Sequence, residues 1–335
     1  MISMAKLPDN ERRELFRNTA DRMALQDAII EKDFWVSYTL DYLFHRSPWN
    51  SALAFKGGTS LSKAFHAIQR FSEDIDIILD WRVLGFEVME PWIERSNTKQ
   101  DAFNKNANAR TAKFLQEKFL PAIRQQLTDE LGQKINVSID ENDDQTVLFT
   151  YPNIFEHSAI LRAIRIEIGA LAAWTPSVVA EITPYVAGQY PALFSQASTS
   201  VRTVAPERTF WEKATILHHE ANRPKHLPMP SRYSRHYYDL YLLSRTTIKD
   251  AAIMQSEMLR KVIAFKRKFY PRAWAKYEEI FISGLKLMPP EMRLNALAGD
   301  YLSMRSMLFG EVPEFDDILL GLESLEQELT YILVQ

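Results

Sequence analysis

Lys56-Gly57-Gly58-Thr59-Ser60, followed after a short amphipathic segment by Arg70-Phe71-Ser72-Glu73-Asp74-Ile75-Asp76-Ile77-Ile78-Leu79, is the stretch whose reading decides the fold. Residues 53–55 are apolar and run into paired glycines, which reads as a buried strand ending in a turn. Thr59 or Ser60 can then cap a helix whose Leu61, Ala64, Phe65 and Ile68 fall at i, i+3, i+4 and i+7. The β-branched run after Arg70 reads as a second strand. Side chains two apart on a strand share a face, so Asp74 and Asp76 point the same way.

Two co-facial carboxylates make an oxygen-rich edge of the kind hard divalent ions such as Mg²⁺ prefer. The N–H groups of a Gly-Gly turn offer a phosphate cradle, to which Thr59 and Ser60 can add hydroxyls. Each part is common as an ordinary turn or exposed strand pair. In this order, glycine turn, hydroxyls, helix and carboxylate strand, they point to metal-assisted transfer of a nucleotide.

Working outward, residues 11–46 show helical spacing through Ile29, Ile30, Phe34, Val36, Leu40 and Leu43, with no Gly or Pro. Glu31-Lys32-Asp33 within it reads as a solvated face beside Phe34 and Trp35. Residues 97–131 predict one or two helices with Pro121 at the break. Residues 135–139, 146–151 and 161–171 read as strands. In the last, Ile164, Ile166 and Ile168 alternate with Arg165 and Glu167, leaving Glu167 on the accessible face. The Pro-, Ser-, Thr- and Ala-rich residues 175–204 read as irregular or short-strand structure linking two lobes, at 1–200 and 205–335, the second helical. Phe315 begins an amphipathic run to Leu333, with Ile318, Leu319, Leu322, Leu325, Leu329 and Ile332 at helical spacing, which reads as a core helix of the second lobe.

The 335 residues allow two such cores. The chain has no cysteine, which excludes disulfides, thiolate metal sites and cysteine nucleophiles and suits a reducing cytoplasm. No apolar run reaches membrane-spanning length, and the charged N-terminus lacks the layout of a secretory signal, so a soluble cytoplasmic protein is expected. A net charge of −3 gives no general attraction to nucleic acid, so RNA binding would need a local basic face. Arg232 and Arg235 offer one. Lys266, Arg267 and Lys268, interleaved with Phe269, Tyr270 and Trp274, offer another. The neighbouring His218 and His219 point about 100° apart on a helix and read as surface or core residues rather than metal ligands.

The 55–63 stretch with the 70–76 stretch resembles the first motif of the nucleotidyltransferase superfamily, and its wording is similar to the AbiEii/AbiGii toxin branch. Glu31-Lys32-Asp33-Phe34-Trp35-Val36, Pro206-Glu207-Arg208-Thr209-Phe210-Trp211-Glu212-Lys213 and Arg235-His236-Tyr237-Tyr238-Asp239-Leu240 agree with that branch. The resemblance implies an α+β fold: a polymerase-β-like mixed sheet flanked by helices, with a mostly helical C-terminal lobe.

It implies that Gly57, Gly58, Thr59 and Ser60 contact nucleotide phosphates and that Asp74 and Asp76 bind metal, with Glu167 as the third carboxylate. It implies further that Lys213 contacts phosphate and that Asp239 assists the metal or takes the acceptor's proton. Arg70 can pair with an acid or a phosphate, and Ser72 can cap the turn before the strand. The expected activity is Mg²⁺- or Mn²⁺-dependent transfer of a nucleoside monophosphate from an NTP to the 3′ end of RNA or tRNA. The expected context is a toxin–antitoxin or phage-defence pair with a cognate antitoxin protein. The alternatives are a small-molecule or protein hydroxyl as acceptor, or a nucleotide-binding interaction protein without turnover.

Overall fold

The computed structural model describes residues 1–156 and 161–334. Two compact units divide the chain: residues 1–64 with 73–204, and residues 65–72 with 205–335.

The first unit is built on a seven-stranded mixed sheet: β1 (Leu53–Lys56), β2 (Asp74–Leu79), β3 (Asn136–Asp140), β4 (Asp143–Thr150), β5 (Ile164–Gly169), β6 (Ser177–Ile182) and β7 (Thr199–Val204). The order is β3-β4-β5-β2-β1-β7-β6. β2 lies at the centre, antiparallel to β1 and parallel to β5. Its Ile75 and Ile77 are buried, while Asp74 and Asp76 stay half-buried on the opposite pleat. The strand thus forms because its β-branched residues fill the core on one face. The same alternation presents its two acids together.

The helix Asp27–His45 is buried almost all round and packs into the main core with Phe55, Ile75, Ile77 and Ile166. Trp35 sits at its centre, edge-on to Phe34 and Phe149 and stacked on Tyr151. Glu31, Lys32 and Asp33 are buried too, contrary to their reading as a solvated face. A helix covered on every side has no solvated face to offer them.

Residues 97–131 form a continuous run, Asn97–Phe114, a π-helical turn Leu115–Phe119, and Leu120–Leu131, with Pro121 removing one N–H from the ladder just after the π-helical turn. Residues 175–204 take the short-strand form of the expectation and belong to the sheet, as β6 and β7, with β7 parallel to β1 and β6 antiparallel to β7.

The second unit is helical. Pro206–Ala221, Ser234–Ser244, Thr247–Met254, Glu257–Phe269, Leu294–Met304 and Phe315–Leu333 are its longer helices. The last buries Ile318, Leu322, Leu325 and Leu329 of the expected stripe, while Leu319 is half-buried and Ile332 is exposed near the helix end. Residues 65–72 are tied into this unit by Phe71 N–H to the Met307 carbonyl, Phe309 N–H to the Gln69 carbonyl, and the Tyr238 hydroxyl to the same Gln69 carbonyl. Among the described residues no helix is long and apolar enough to cross a membrane.

Candidate functional site

In the first unit, β1 ends at Lys56 and the chain turns at Gly57 into the helix Gly57–Lys63. Gly57 has φ +82°, and a Cβ built there would meet Asp76 Oδ2 at 1.8 Å. Two independent constraints, left-handed backbone and close approach of a carboxylate, therefore demand glycine at this position. Gly58 follows it, half-buried. The hydroxyls that were expected to face phosphate are turned inward: Ser60 Oγ donates to the Gly57 carbonyl at 2.8 Å, and Thr59 Oγ1 donates to the Asp74 carbonyl. In this arrangement they brace the turn against β2.

Strand register sets the acids. Asp74 lies opposite Arg165 and Asp76 opposite Glu167 on the adjoining β5. Arg165 sits among three carboxylates: it pairs with Asp140, and its guanidinium lies 3.6 Å from Asp74 Oδ1 and 3.7 Å from Glu167 Oε1. Burial and the neighbouring Asp76 and Asp74 charges push the Glu167 carboxyl up to about 7, despite Arg165. Asp143 adds to the same repulsion.

These acids fit a divalent cation. Asp74 Oδ1 is buried without a hydrogen-bond partner, and the mutual repulsion at Glu167 is what a bound cation would relieve. Yet among the described residues no group of three acidic, histidine or cysteine side chains closes into a metal cage. That combination suits Mg²⁺, which is commonly held by one or two carboxylates and completed by water and substrate phosphates.

The second unit carries its own cluster. Arg70 grips Asp239 with two parallel bonds, Nε to Oδ1 at 2.7 Å and an Nη to Oδ2 at 3.0 Å. Lys213, from the helix Pro206–Ala221, donates to Asp239 Oδ2 at 2.7 Å and lies 3.1 Å from His236 Nδ1. Burial and the cations of Lys213 and Arg235 hold His236 neutral, so its Nδ1 accepts from the ammonium. Arg70 and Lys213 hold the fully buried Asp239 far below the usual carboxylate range.

Both oxygens of Asp239 are thus taken up by cations in this arrangement. A carboxylate with both oxygens on cations is a weak base and a poor metal ligand, whereas it is well placed to fix Lys213 and Arg70. Arg70, Lys213 and Arg235 against one aspartate leave the cluster positive. Ser72 lies half-buried just ahead of β2.

The basic-aromatic stretch is less open than its composition implied. In the helix Glu257–Phe269, Phe265 and Phe269 face the core, and Lys266 Nζ donates to the Glu212 carbonyl at 3.1 Å. Trp274 is taken up by His219, ring centroids 4.4 Å apart, and by Arg223. Arg267 and Tyr270 remain exposed. His218 is buried, accepting at Nδ1 from the Lys286 amide at 3.0 Å, which agrees with its reading as a core histidine.

Lys32 and Asp33, expected on a solvated face, are buried and tied to distant residues. Lys32 reaches Glu73 and Asp33 reaches Lys63, each across a long stretch of chain. Their only signal was position: consecutive charges inside an otherwise apolar helix.

A mixed sheet with an Asp-x-Asp central strand beside a glycine turn, joined to a helical unit with a fixed lysine, defines a protein of the nucleotidyltransferase class. The chain belongs to the AbiEii family: the family model described as nucleotidyl transferase AbiEii toxin, type IV toxin–antitoxin system, matches residues 41–320. Among solved structures it is similar to MenT4, a nucleotidyltransferase toxin from Mycobacterium tuberculosis H37Rv. The two share 15% identity over 96% of this chain and 97% of that one, with a TM-score of 0.46. No curated protein matches the chain.

Proposed function

We propose that this toxin-family chain transfers a nucleoside monophosphate from an NTP to the 3′-hydroxyl of an RNA, tRNA being the expected acceptor, in the cytoplasm and under the control of a cognate antitoxin. Growth arrest by such modification would serve phage defence. The observation that carries the reading is the register of β2 and β5, which sets Asp76 level with Glu167 beside the glycine turn at Gly57.

Asp74 and Asp76, with Glu167, would hold Mg²⁺ or Mn²⁺, which when bound neutralises phosphate charge and lowers the pKa of the attacking hydroxyl. Backbone N–H groups of Gly57, Gly58, Thr59 and Ser60 bind phosphate oxygens, and Lys213 contributes positive charge to the triphosphate. The acceptor hydroxyl attacks the α-phosphorus in line. A new P–O bond forms, the bond to the bridging oxygen breaks, pyrophosphate leaves, and the hydroxyl proton passes to solvent. Asp239 and Arg70 keep Lys213 in place, and Ser72 shapes the approach to Asp74.

For RNA contact, the exposed Arg232 and half-buried Arg235 are favoured over Lys266, Arg267 and Lys268, because the aromatic neighbours of the latter are largely turned inward. That inward packing also favours a second reading, in which a protein or small-molecule hydroxyl is the acceptor. A nucleotide-binding module without turnover is the third.

The test is incubation of the chain with each labelled NTP, Mg²⁺ and total RNA, beside Asp76→Ala. Label is expected in RNA with the parent and not with the variant. Label in protein or small molecules alone overturns the RNA acceptor, no label anywhere overturns the transferase, and equal labelling by the variant overturns the metal assignment.

A further inference from the structure

Glu31, Lys32 and Asp33 occupy consecutive buried positions of the helix Asp27–His45. Neighbours on a helix point about 100° apart, so three charges in a row reach in three directions. Glu31 accepts from the backbone amides of Ile154 at 2.7 Å and Phe155 at 3.1 Å. Lys32 Nζ donates to Glu73 Oε2 at 2.6 Å and to the Leu161 carbonyl at 2.7 Å. Asp33 accepts from Lys63 Nζ at 2.5 Å and from the Tyr185 amide at 2.7 Å. Lys63 also donates to the Thr183 carbonyl at 2.9 Å and lies over the Tyr185 ring.

The lysine and aspartate ties end on segments that lead into the candidate site. Glu73 immediately precedes Asp74, the first residue of β2, and Leu161 lies on the approach to β5, which carries Glu167. Lys63 is the last residue of the helix that starts at Gly57. Withdrawing an ion from water costs several kcal/mol, and apolar residues of similar volume commonly stabilise a core as well or better. Stability alone does not account for these residues.

We infer that Lys32 and Asp33 are positioning residues: Lys32 holds the carboxylate strand through Glu73, and Asp33 holds the glycine turn through Lys63. The functional side of this inference rests on the proposed nucleotidyl transfer, whereas the two ties can be read without turnover.

Amide hydrogen exchange on the full chain tests them. Lys32→Met should speed exchange across residues 73–76 and 164–167 and leave 57–63 protected. Asp33→Asn should do the converse. In the transfer assay, Lys32→Met should raise the apparent metal constant about 10-fold, the loss typical when a group behind a metal ligand is removed. Its KM for NTP should stay within about twofold, while Asp33→Asn should raise that KM with the metal constant unchanged. Lys32→Arg, which keeps the charge, should recover most of the loss.

Exchange that is unchanged in both variants, or raised equally at both segments, overturns the inference. Should Lys32→Met fail to fold, Glu73→Leu removes the acceptor from the more exposed end of the same tie and is held to the same outcome. A parent chain that transfers nothing overturns the proposed function, and the exchange pattern still decides the positioning roles.

Discussion

The Asp76 carboxylate occupies the space where a side chain on Gly57 would stand, 1.8 Å from an ideal Cβ. The glycine turn and the carboxylate strand therefore meet at a contact that only a residue without a Cβ permits. Gly57→Ala should cost about 1–3 kcal/mol in backbone strain, and more from the clash with Asp76. Thermal unfolding would show the first effect. Loss of NTP turnover by more than the stability change accounts for would show the second.

Asp239 pairs with both Arg70 and Lys213. Asp239→Asn should destabilise the chain by about 3–5 kcal/mol, because a buried carboxylate that binds two cations is lost. Urea titration measures this, and adding Arg70→Met to the same variant should recover part of the loss. An Asp239→Asn chain as stable as the parent would refute the account of the cluster.

Glu31 gives a pH prediction of definite sign. Its burial pushes the carboxyl from 4.5 up to about 7 in the folded chain. Below pH 4.5 both states carry the proton. Between 4.5 and 7 the unfolded chain releases it first, so this residue's contribution to stability falls as pH rises and is level above 7. The decline should amount to roughly 3 kcal/mol and be missing from Glu31→Gln, whose lost hydrogen bond is a constant offset. Unfolding free energies of the pair from pH 4.5 to 8 would reveal it.

The carboxylates do not close into a metal cage of their own among the described residues. Mg²⁺ alone should accordingly leave the melting temperature nearly unchanged. Mg²⁺ with a non-hydrolysable NTP analogue, at a hundredfold excess over Kd, should stabilise by about 2.7 kcal/mol. Asp74→Ala or Asp76→Ala should abolish that gain.

What could be read from the sequence was local. The alternation in 74–79 and 164–168 has the period of a pleated strand, so the shared face of Asp74 and Asp76 and the accessibility of Glu167 follow from spacing alone. Gly57 stood out because a turn must follow a short apolar strand. β6 and β7 were legible only as irregular or short-strand structure because β6 lies at the sheet's edge with Val178 and Val179 exposed, so it shows no clean inside–outside alternation. The ties of Lys32, Asp33 and Asp239 were hidden for another reason: Glu73 lies 41 residues from Lys32, and Arg70 lies 169 from Asp239. No periodicity extends over such separations. Phe265 and Phe269, four apart on a helix, carried the signal for a core face.

Residues 65–72 fold with the helical unit although the chain on either side of them belongs to the sheet. A gene cut after residue 204 would not yield a self-sufficient domain, since it would strand Arg70 and Gln69 without Asp239 and Tyr238. Recombination cannot exchange the helical half as a cassette without also rewriting this loop. The interleaved path makes the two halves one heritable piece.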